Sequence, residues 1–151
     1  MSTDRSPVGL GREAVITYIV DTYPETDVVT IEGGSFFSLD AEKHWPNYAT
    51  VVWNDDFDQA SDLLSRGAFR LNLGVSRDTF ERLVGAEAEP DHRAFDRLLP
   101  HPVYARQHWI SILNPTEDTF REVVVPLIAE AHDRLATLRA RHVAGRRQPE
   151  A

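Results

Sequence analysis

The sequence predicts an α+β fold: a two-layer sandwich in which an antiparallel sheet carries helices on one face and the chain ends in a long helix. Three observations support this prediction. The first three strand-like segments follow one another closely, as in a meander, and the alternation of strand and helix that builds a parallel sheet is absent. Helical periodicity occurs ahead of these strands, between the later ones and over a long C-terminal stretch. At 151 residues the chain is long enough to bury a sizeable core as one domain.

A helix and a β-hairpin open the predicted fold. Apolar residues recur along residues 10–23 at the i, i+3, i+4 spacing of an amphipathic helix, and Pro24 closes it. The strand-like segments VVTIE (28–32) and FFSLD (36–40) then flank a Gly-Gly-Ser segment (33–35), which indicates a hairpin with a short loop.

A third and a fourth strand are predicted over YATVVWN (48–54) and FRLNLGV (69–75). Because side chains alternate across a strand, Arg70 and Asn72 lie on the face opposite the apolar side chains of the fourth strand. These two polar residues are therefore turned away from the predicted core.

The segment between these strands (55–67) is rich in aspartate. It lacks the spacing of a calcium-binding loop, so we expect a solvated loop whose carboxylates cap a helical turn. A buried guanidinium is costly without a partner, and Arg70 is therefore expected to meet a carboxylate of this segment. The candidates for this partner are Asp55, Asp56 and Asp58.

The C-terminal half is predicted to contain a short helix and a last strand. Ser76 caps the short helix RDTFERLV, which Gly85 ends. Residues 86–100 form a polar loop, and the last strand is HWISILN (108–114).

A long helix completes the predicted domain. Thr116 caps this helix, and Pro126 kinks it or splits it in two. We expect residues 10–143 to form a single domain between a flexible N-terminus (1–9) and a flexible tail (144–151).

Composition and charge exclude several classes of protein. No apolar run approaches the roughly 18 residues that a membrane-spanning helix needs, and the N-terminal residues lack the apolar segment of a secretory signal. The absence of cysteine excludes disulfides and thiolate sites and favours a cytoplasmic protein. The net charge of −8, with basic residues grouped only in the tail, argues against binding to nucleic acid.

No metal or cofactor is expected from the motifs. His101 and His108 are separated by six residues, a spacing that fits no standard zinc site, and no glycine-rich nucleotide motif is present. Aromatic side chains are expected mostly in the core, although they can also cradle a flat ligand. They are Phe36, Phe37, Trp45, Tyr48, Trp53 and Trp109.

The segment HPVYARQHW (101–109) concentrates the residues with chemical potential. We expect Tyr104 and His108 to turn toward Arg70 and Asn72 and to wall a cleft. Along the last strand, His108 and Trp109 must face opposite sides of the sheet. Trp109 is assigned to the core because its burial removes more apolar area from water, which leaves His108 on the polar face.

These residues define the candidate site. The expected ligand-binding residues are Arg70, Asn72, His101, Tyr104 and His108. Acid–base chemistry would fall to His101, His108 or Tyr104, since imidazole titrates near neutral pH. A hydrogen-bond network of purely structural importance at the sheet edge is the alternative interpretation.

Three stretches, FRLNLGVSRDTFERLVG, LLPHPVYARQHWISILNP and TFREVVVPLIAEAHDRL, resemble a family of small bacterial proteins, frequent in actinomycetes, that is catalogued as a domain of unknown function. The resemblance runs from about Ala14 to Leu138. More distantly, the ending strand–HW–strand–helix is similar to YjbR/MmcQ-like proteins. That resemblance implies a CyaY-like layered α+β fold, with DNA binding or resistance to natural products as suggested roles.

Three functions remain open at this point. The first is a cytoplasmic protein that binds a small molecule, with a sequestration or resistance role. The second is a small enzyme that uses His101 or His108 as a general base. The third is an interaction module for DNA or protein, and a homodimer is compatible with any of them.

Overall fold

The computed structural model describes residues 10–147 of the chain. The strands are Asp27–Ile31 (β1), Gly34–Ser38 (β2), Asn47–Val52 (β3), Arg70–Gly74 (β4), Leu99–Pro100 (β5) and Trp109–Leu113 (β6). The helices are Arg12–Thr22 (α1), Leu63–Arg66 (α2), Arg77–Val84 (α3), Glu117–Thr119 (α4) and Val125–Arg147 (α5). All six strands form one antiparallel sheet in the order β1-β2-β3-β4-β6-β5, which confirms the α+β class.

One face of the sheet is covered by α1, α3 and α5. Leu71 of β4 lies between Val51 of β3 and Ile112 of β6 in the register, and Leu73 lies between Ala49 and Ile110 in the next row. The helices contribute further buried apolar side chains to this core: Val15, Ile19, Val84, Val124, Ile128 and Ala131. Each fully buried valine, leucine or isoleucine of this core stabilises the fold by about 1.5–3 kcal/mol relative to an exposed side chain.

The opposite face carries the short helix α2 and a smaller apolar cluster. Leu63 of α2 is buried there with Val52, Ala68, Leu99 and Leu113. The expectation that helices occupy one face therefore holds for the longer helices but not for α2.

A carboxylate of the acidic segment caps α2, which agrees with the expectation of a helix-capping acidic loop. Asp55 accepts hydrogen bonds from the backbone N–H groups of Leu63 (2.8 Å) and Leu64 (3.4 Å). A carboxylate at this end of a helix satisfies free N–H donors that the helix itself leaves unpaired.

The hairpin loop is tighter than the sequence predicted. Ile31 pairs with Gly34, so the loop consists of Glu32 and Gly33 only, and Ser35 belongs to β2. Gly33 adopts a φ of 88°, which glycine tolerates without the steric cost that other residues meet. The two-residue loop thus follows the known geometry of tight hairpins.

The N-terminal caps of the later helices match the sequence prediction. Ser76 accepts a hydrogen bond from the Thr79 N–H, and Thr116 accepts one from the Thr119 N–H. The irregularity predicted from Pro126 lies just before it, as a π-helical turn (Phe120–Val124) between α4 and α5. Proline has no N–H for the i to i−4 hydrogen bond, and a local change in the helical ladder accommodates this loss.

Two further details of the chain differ from expectation. Residues 99–100 form β5 instead of belonging to a polar loop, and α5 continues over residues 144–147, which were assigned to the tail. The expected flexible segment 1–9 and residues 148–151 lie outside the described part of the chain. Within residues 10–147, no helix combines the length and the apolar character needed to cross a membrane.

Candidate ligand-binding site

A cavity of about 500 Å³ lies on the face of the sheet opposite the main core. Its floor consists of strand side chains that share this face, because the antiparallel register aligns Phe36 with Thr50 and Thr50 with Asn72. The floor residues, which keep that name below, are Phe36, Thr50, Val52, Arg70, Asn72 and Trp109. The polar face predicted for β4 is therefore the base of a concave site.

Loop residues, together with Asn47 at the start of β3, form the rim of the cavity. The rim residues are Trp45, Pro46, Asn47, Phe57, Asp58, His101, Val103, Tyr104 and Gln107. Several are apolar yet exposed: the exposed fraction is 67% for Trp45, 54% for Val103 and 53% for Tyr104. The mouth of the cavity thus presents apolar surface to solvent.

Arg70 is the most deeply buried charged side chain of the site, with 2% of its surface exposed. Its Nη2 and Nη1 donate to the two carboxylate oxygens of Asp58 at 2.6 and 3.1 Å, and Nη1 also donates to Ser61 Oγ at 2.9 Å. This two-point contact confirms the expectation that a carboxylate of the acidic segment pairs with Arg70.

The carboxyl group of Asp58 responds to two opposing influences. Burial raises its pKa, but the hydrogen bonds and the positive charge of Arg70 outweigh burial and hold the pKa below its ordinary value. Asp58 is therefore ionised at neutral pH and balances the charge of Arg70.

Asn72 joins Arg70 to the neighbouring strands. Its Oδ1 accepts from Arg70 Nε at 3.0 Å and from Ser111 Oγ at 2.7 Å. Its Nδ2 donates to Thr50 Oγ1 at 2.9 Å. The polar groups of the floor therefore satisfy one another, which fixes their positions before any ligand arrives.

His101 lies between the floor and the rim. Its Nδ1 accepts hydrogen bonds from the backbone N–H groups of Val103 and Tyr104, both at 3.0 Å. Burial, and next the positive charge of Arg70, lower the pKa of His101 to about 4. The ring is therefore neutral at pH 7, and its single proton is on Nε2 because Nδ1 is an acceptor.

Four of the five predicted ligand-binding residues line the cavity, namely Arg70, Asn72, His101 and Tyr104. The fifth, His108, does not. His108 adopts a φ of 67° after a 3₁₀ turn (Ala105–Gln107), so it precedes the strand instead of belonging to it. Its ring packs 5.7 Å from that of Phe80, outside the cavity.

Trp109 takes the position that was predicted for His108. It pairs with Gly74 and lies on the cavity face of β6, while Ile110 and Ile112 face the core. The assignment of Trp109 to the core was wrong because two aliphatic rows of the sheet bury more apolar area together than one indole does. Trp109 is instead half-buried and part of the floor.

Other lining residues were not predicted as site residues. Thr50 is a polar residue inside the apolar run of β3, and this alternation is a signal that places it on the same face as Arg70. Phe57 and Val103 are isolated apolar residues in polar loops, and no periodicity indicates where such residues point. Among the described residues, no group of three histidine, aspartate or glutamate side chains is arranged to hold a metal ion.

The chain matches a known protein family over most of its length. A family model described as a family of unknown function, DUF6194, matches residues 10–145. No curated protein and no solved structure matches the chain significantly. The match agrees with the resemblance to a domain of unknown function, whereas the more distant resemblance to YjbR/MmcQ-like proteins receives no support from these comparisons.

Proposed function

We propose that this chain, which belongs to the family of unknown function DUF6194, binds a small organic molecule in the cavity above β3, β4 and β6. The observation that carries the proposal is the cavity itself. Its volume of about 500 Å³ falls within the range of roughly 300–1,000 Å³ that is typical of small-molecule sites. Its walls are mostly aromatic and aliphatic, with a few fixed polar groups, which is the composition of such sites.

The polar floor supports a binding role over a purely structural one. A buried ion pair is often no more stabilising than apolar side chains of similar volume, so stability alone gives little reason for Arg70 and Asp58 at this position. Their placement at the base of an open cavity, together with Asn72, supplies fixed polar groups beneath a ligand.

The environment of His101 argues against the general-base alternative. A general base needs a free lone pair. The lone pair of the neutral His101 ring is on Nδ1, where it already accepts two backbone hydrogen bonds, and Nε2 carries the proton. We therefore favour retention of the ligand over its conversion, which fits sequestration or resistance. The cytoplasm is the proposed compartment, which the lack of cysteine favours.

The proposal can be tested with prodan, an uncharged naphthalene dye whose emission moves to shorter wavelength in apolar surroundings. We expect a saturable blue shift with one dye per chain. Thr50→Trp should abolish this signal, because the new indole occupies the space above the floor.

A matched control is the same exchange at Thr30, an exposed residue of β1 that does not line the cavity. Thr50 accepts a side-chain hydrogen bond from Asn72, and Thr30 shares one with Ser35. The two variants therefore lose similar contacts. Loss of dye binding in Thr30→Trp as well, or no saturable binding in the unmodified protein, would count against a ligand site in this cavity.

A further inference from the structure

We infer that the ligand is an uncharged aromatic molecule with a hydrogen-bond acceptor such as a carbonyl oxygen, and that the Nε2–H of His101 donates to this acceptor. The inference rests on the proposed function and specifies the chemical class of ligand. Three features of the cavity lead to it.

The first feature is the charge balance of the lining. Of the residues that the structure describes, Arg70 and Asp58 are the only ones with a full charge at the cavity surface, and they neutralise each other through two hydrogen bonds. Arg70 is further engaged by Ser61 and Asn72. A charged ligand would leave water without meeting a free counter-charge, and this desolvation is strongly unfavourable.

The second feature is the donor on His101. This residue lines the cavity, and its Nδ1 is turned to the backbone of the 103–104 segment. In the described part of the chain Nε2 has no hydrogen-bond partner. Nε2 is not enclosed by the protein, so its N–H is accessible from the cavity, where an acceptor on the ligand can take the place of water.

The third feature is the set of flat aromatic surfaces around the donor. The Trp109 indole packs against Gly74, which has no side chain, and its ring lies 6.4 Å from that of His101. The ring of Tyr104 lies 5.0 Å from His101 on the rim, and Phe36 and Phe57 form an edge-to-face pair at 5.4 Å. Aromatic walls of this kind match a planar ligand in size and polarity.

Competition against prodan on the unmodified protein tests the ligand class. The probes share one ring system and differ in a single group: 2-naphthamide, 2-naphthoate, 2-naphthylmethylammonium and 2-ethylnaphthalene. We expect 2-naphthamide to bind at least about tenfold more tightly than each of the others, a factor that one hydrogen bond or one unpaired charge supplies.

The outcomes separate the inference from the proposed function. If the carboxylate or the ammonium compound competes as well as the amide, the inference is wrong while the cavity remains a binding site. If neither prodan nor any of the four compounds binds, both are wrong.

Two variants test the residues. His101→Asn keeps an acceptor near the position of Nδ1, because an asparagine oxygen can accept the same backbone N–H groups, but it removes the Nε2–H. We expect the preference for 2-naphthamide over 2-ethylnaphthalene to fall from about tenfold to near one. A retained preference would show that another group is the donor and would overturn the role of His101.

Asp58→Asn tests the charge balance. It leaves the charge of Arg70 uncompensated, so 2-naphthoate should gain about tenfold in affinity relative to 2-naphthamide. An unchanged ratio would show that Arg70 does not influence the charge of the ligand, which contradicts the first step of the inference.

Discussion

Gly74 and Trp109 face each other across β4 and β6, and the indole lies so close to Gly74 that a β-carbon there would come within 2.9 Å of Cε2. The absence of a side chain at position 74 therefore determines where the indole rests. Because Trp109 is part of the cavity floor, this contact also shapes the candidate binding site.

Gly74→Ala is expected to push the indole of Trp109 into the cavity. Overpacking of this kind costs about 1–3 kcal/mol of stability, and prodan should bind more weakly because the floor has moved. Gly11→Ala is the control for binding, since a β-carbon at Gly11 meets no atom within 4 Å. Equal dye affinity in the two variants would show that the indole position does not define the site.

Asp58→Ala is expected to destabilise the protein by about 3–5 kcal/mol, because it leaves the buried guanidinium of Arg70 without its counter-charge. Urea unfolding measures this change. The exposed pair Arg77–Glu81 supplies the contrast: its N–O distance is 3.5 Å, and Glu81→Ala should cost no more than about 0.5 kcal/mol. Similar losses in both variants would mean that the pair beneath the cavity behaves like a surface pair.

His101 is expected to make stability depend on pH between about 6.5 and 4. The folded protein holds the pKa of His101 at about 4, whereas an unfolded histidine has a pKa near 6.5. In this window the unfolded chain binds a proton that the folded chain does not, so the free energy of unfolding falls as the pH is lowered. Below the folded pKa the contribution of His101 is constant.

The size of this effect is about 3 kcal/mol over the whole window. Urea unfolding of the unmodified protein and of His101→Asn at several pH values isolates it, because the other titrating groups are common to both. A parallel loss of stability in the two proteins would show that His101 titrates normally.

Exchanges in β6 and at His108, which precedes it, separate the core from the cavity. Ile112→Ala removes a core side chain that is only 1% exposed, so it should lower the free energy of unfolding by about 2–5 kcal/mol without changing the dye site directly.

Trp109→Ala should lower the free energy of unfolding less than Ile112→Ala does, but it should weaken prodan binding. His108→Ala should leave prodan binding unchanged, because His108 lies outside the cavity. Weaker binding in His108→Ala would contradict this placement.

The alternation of β4 is the part of the site that the sequence could predict. The pattern around Leu71 and Leu73 separates the core face from the face of Arg70, and the cost of a buried charge calls for an aspartate nearby. Asp55, Asp56 and Asp58 were equivalent candidates, because the choice depends on how one loop folds over the sheet. Local spacing has no information about that loop.

The neighbouring strand shows where sequence reasoning fails. Alternation separates Trp109 from Ile110 correctly, but it does not say which face the helices cover. Comparing single residues favoured Trp109 for the core, whereas the covered face is decided by rows of side chains across several strands. His108 was wrongly assigned to the last strand. Its positive φ keeps it outside the strand, which begins at Trp109, and no feature of the sequence indicates this backbone conformation.

The division of the cavity into floor and rim has a consequence for protein engineering. β4 is buried along its whole length and serves the core and the cavity at once, so a change in Arg70 or Asn72 also disturbs the fold. Rim residues such as Trp45, Val103 and Gln107 are exposed and can be exchanged at little cost in stability. A directed-evolution library aimed at a new ligand should therefore randomise the rim and leave the floor intact.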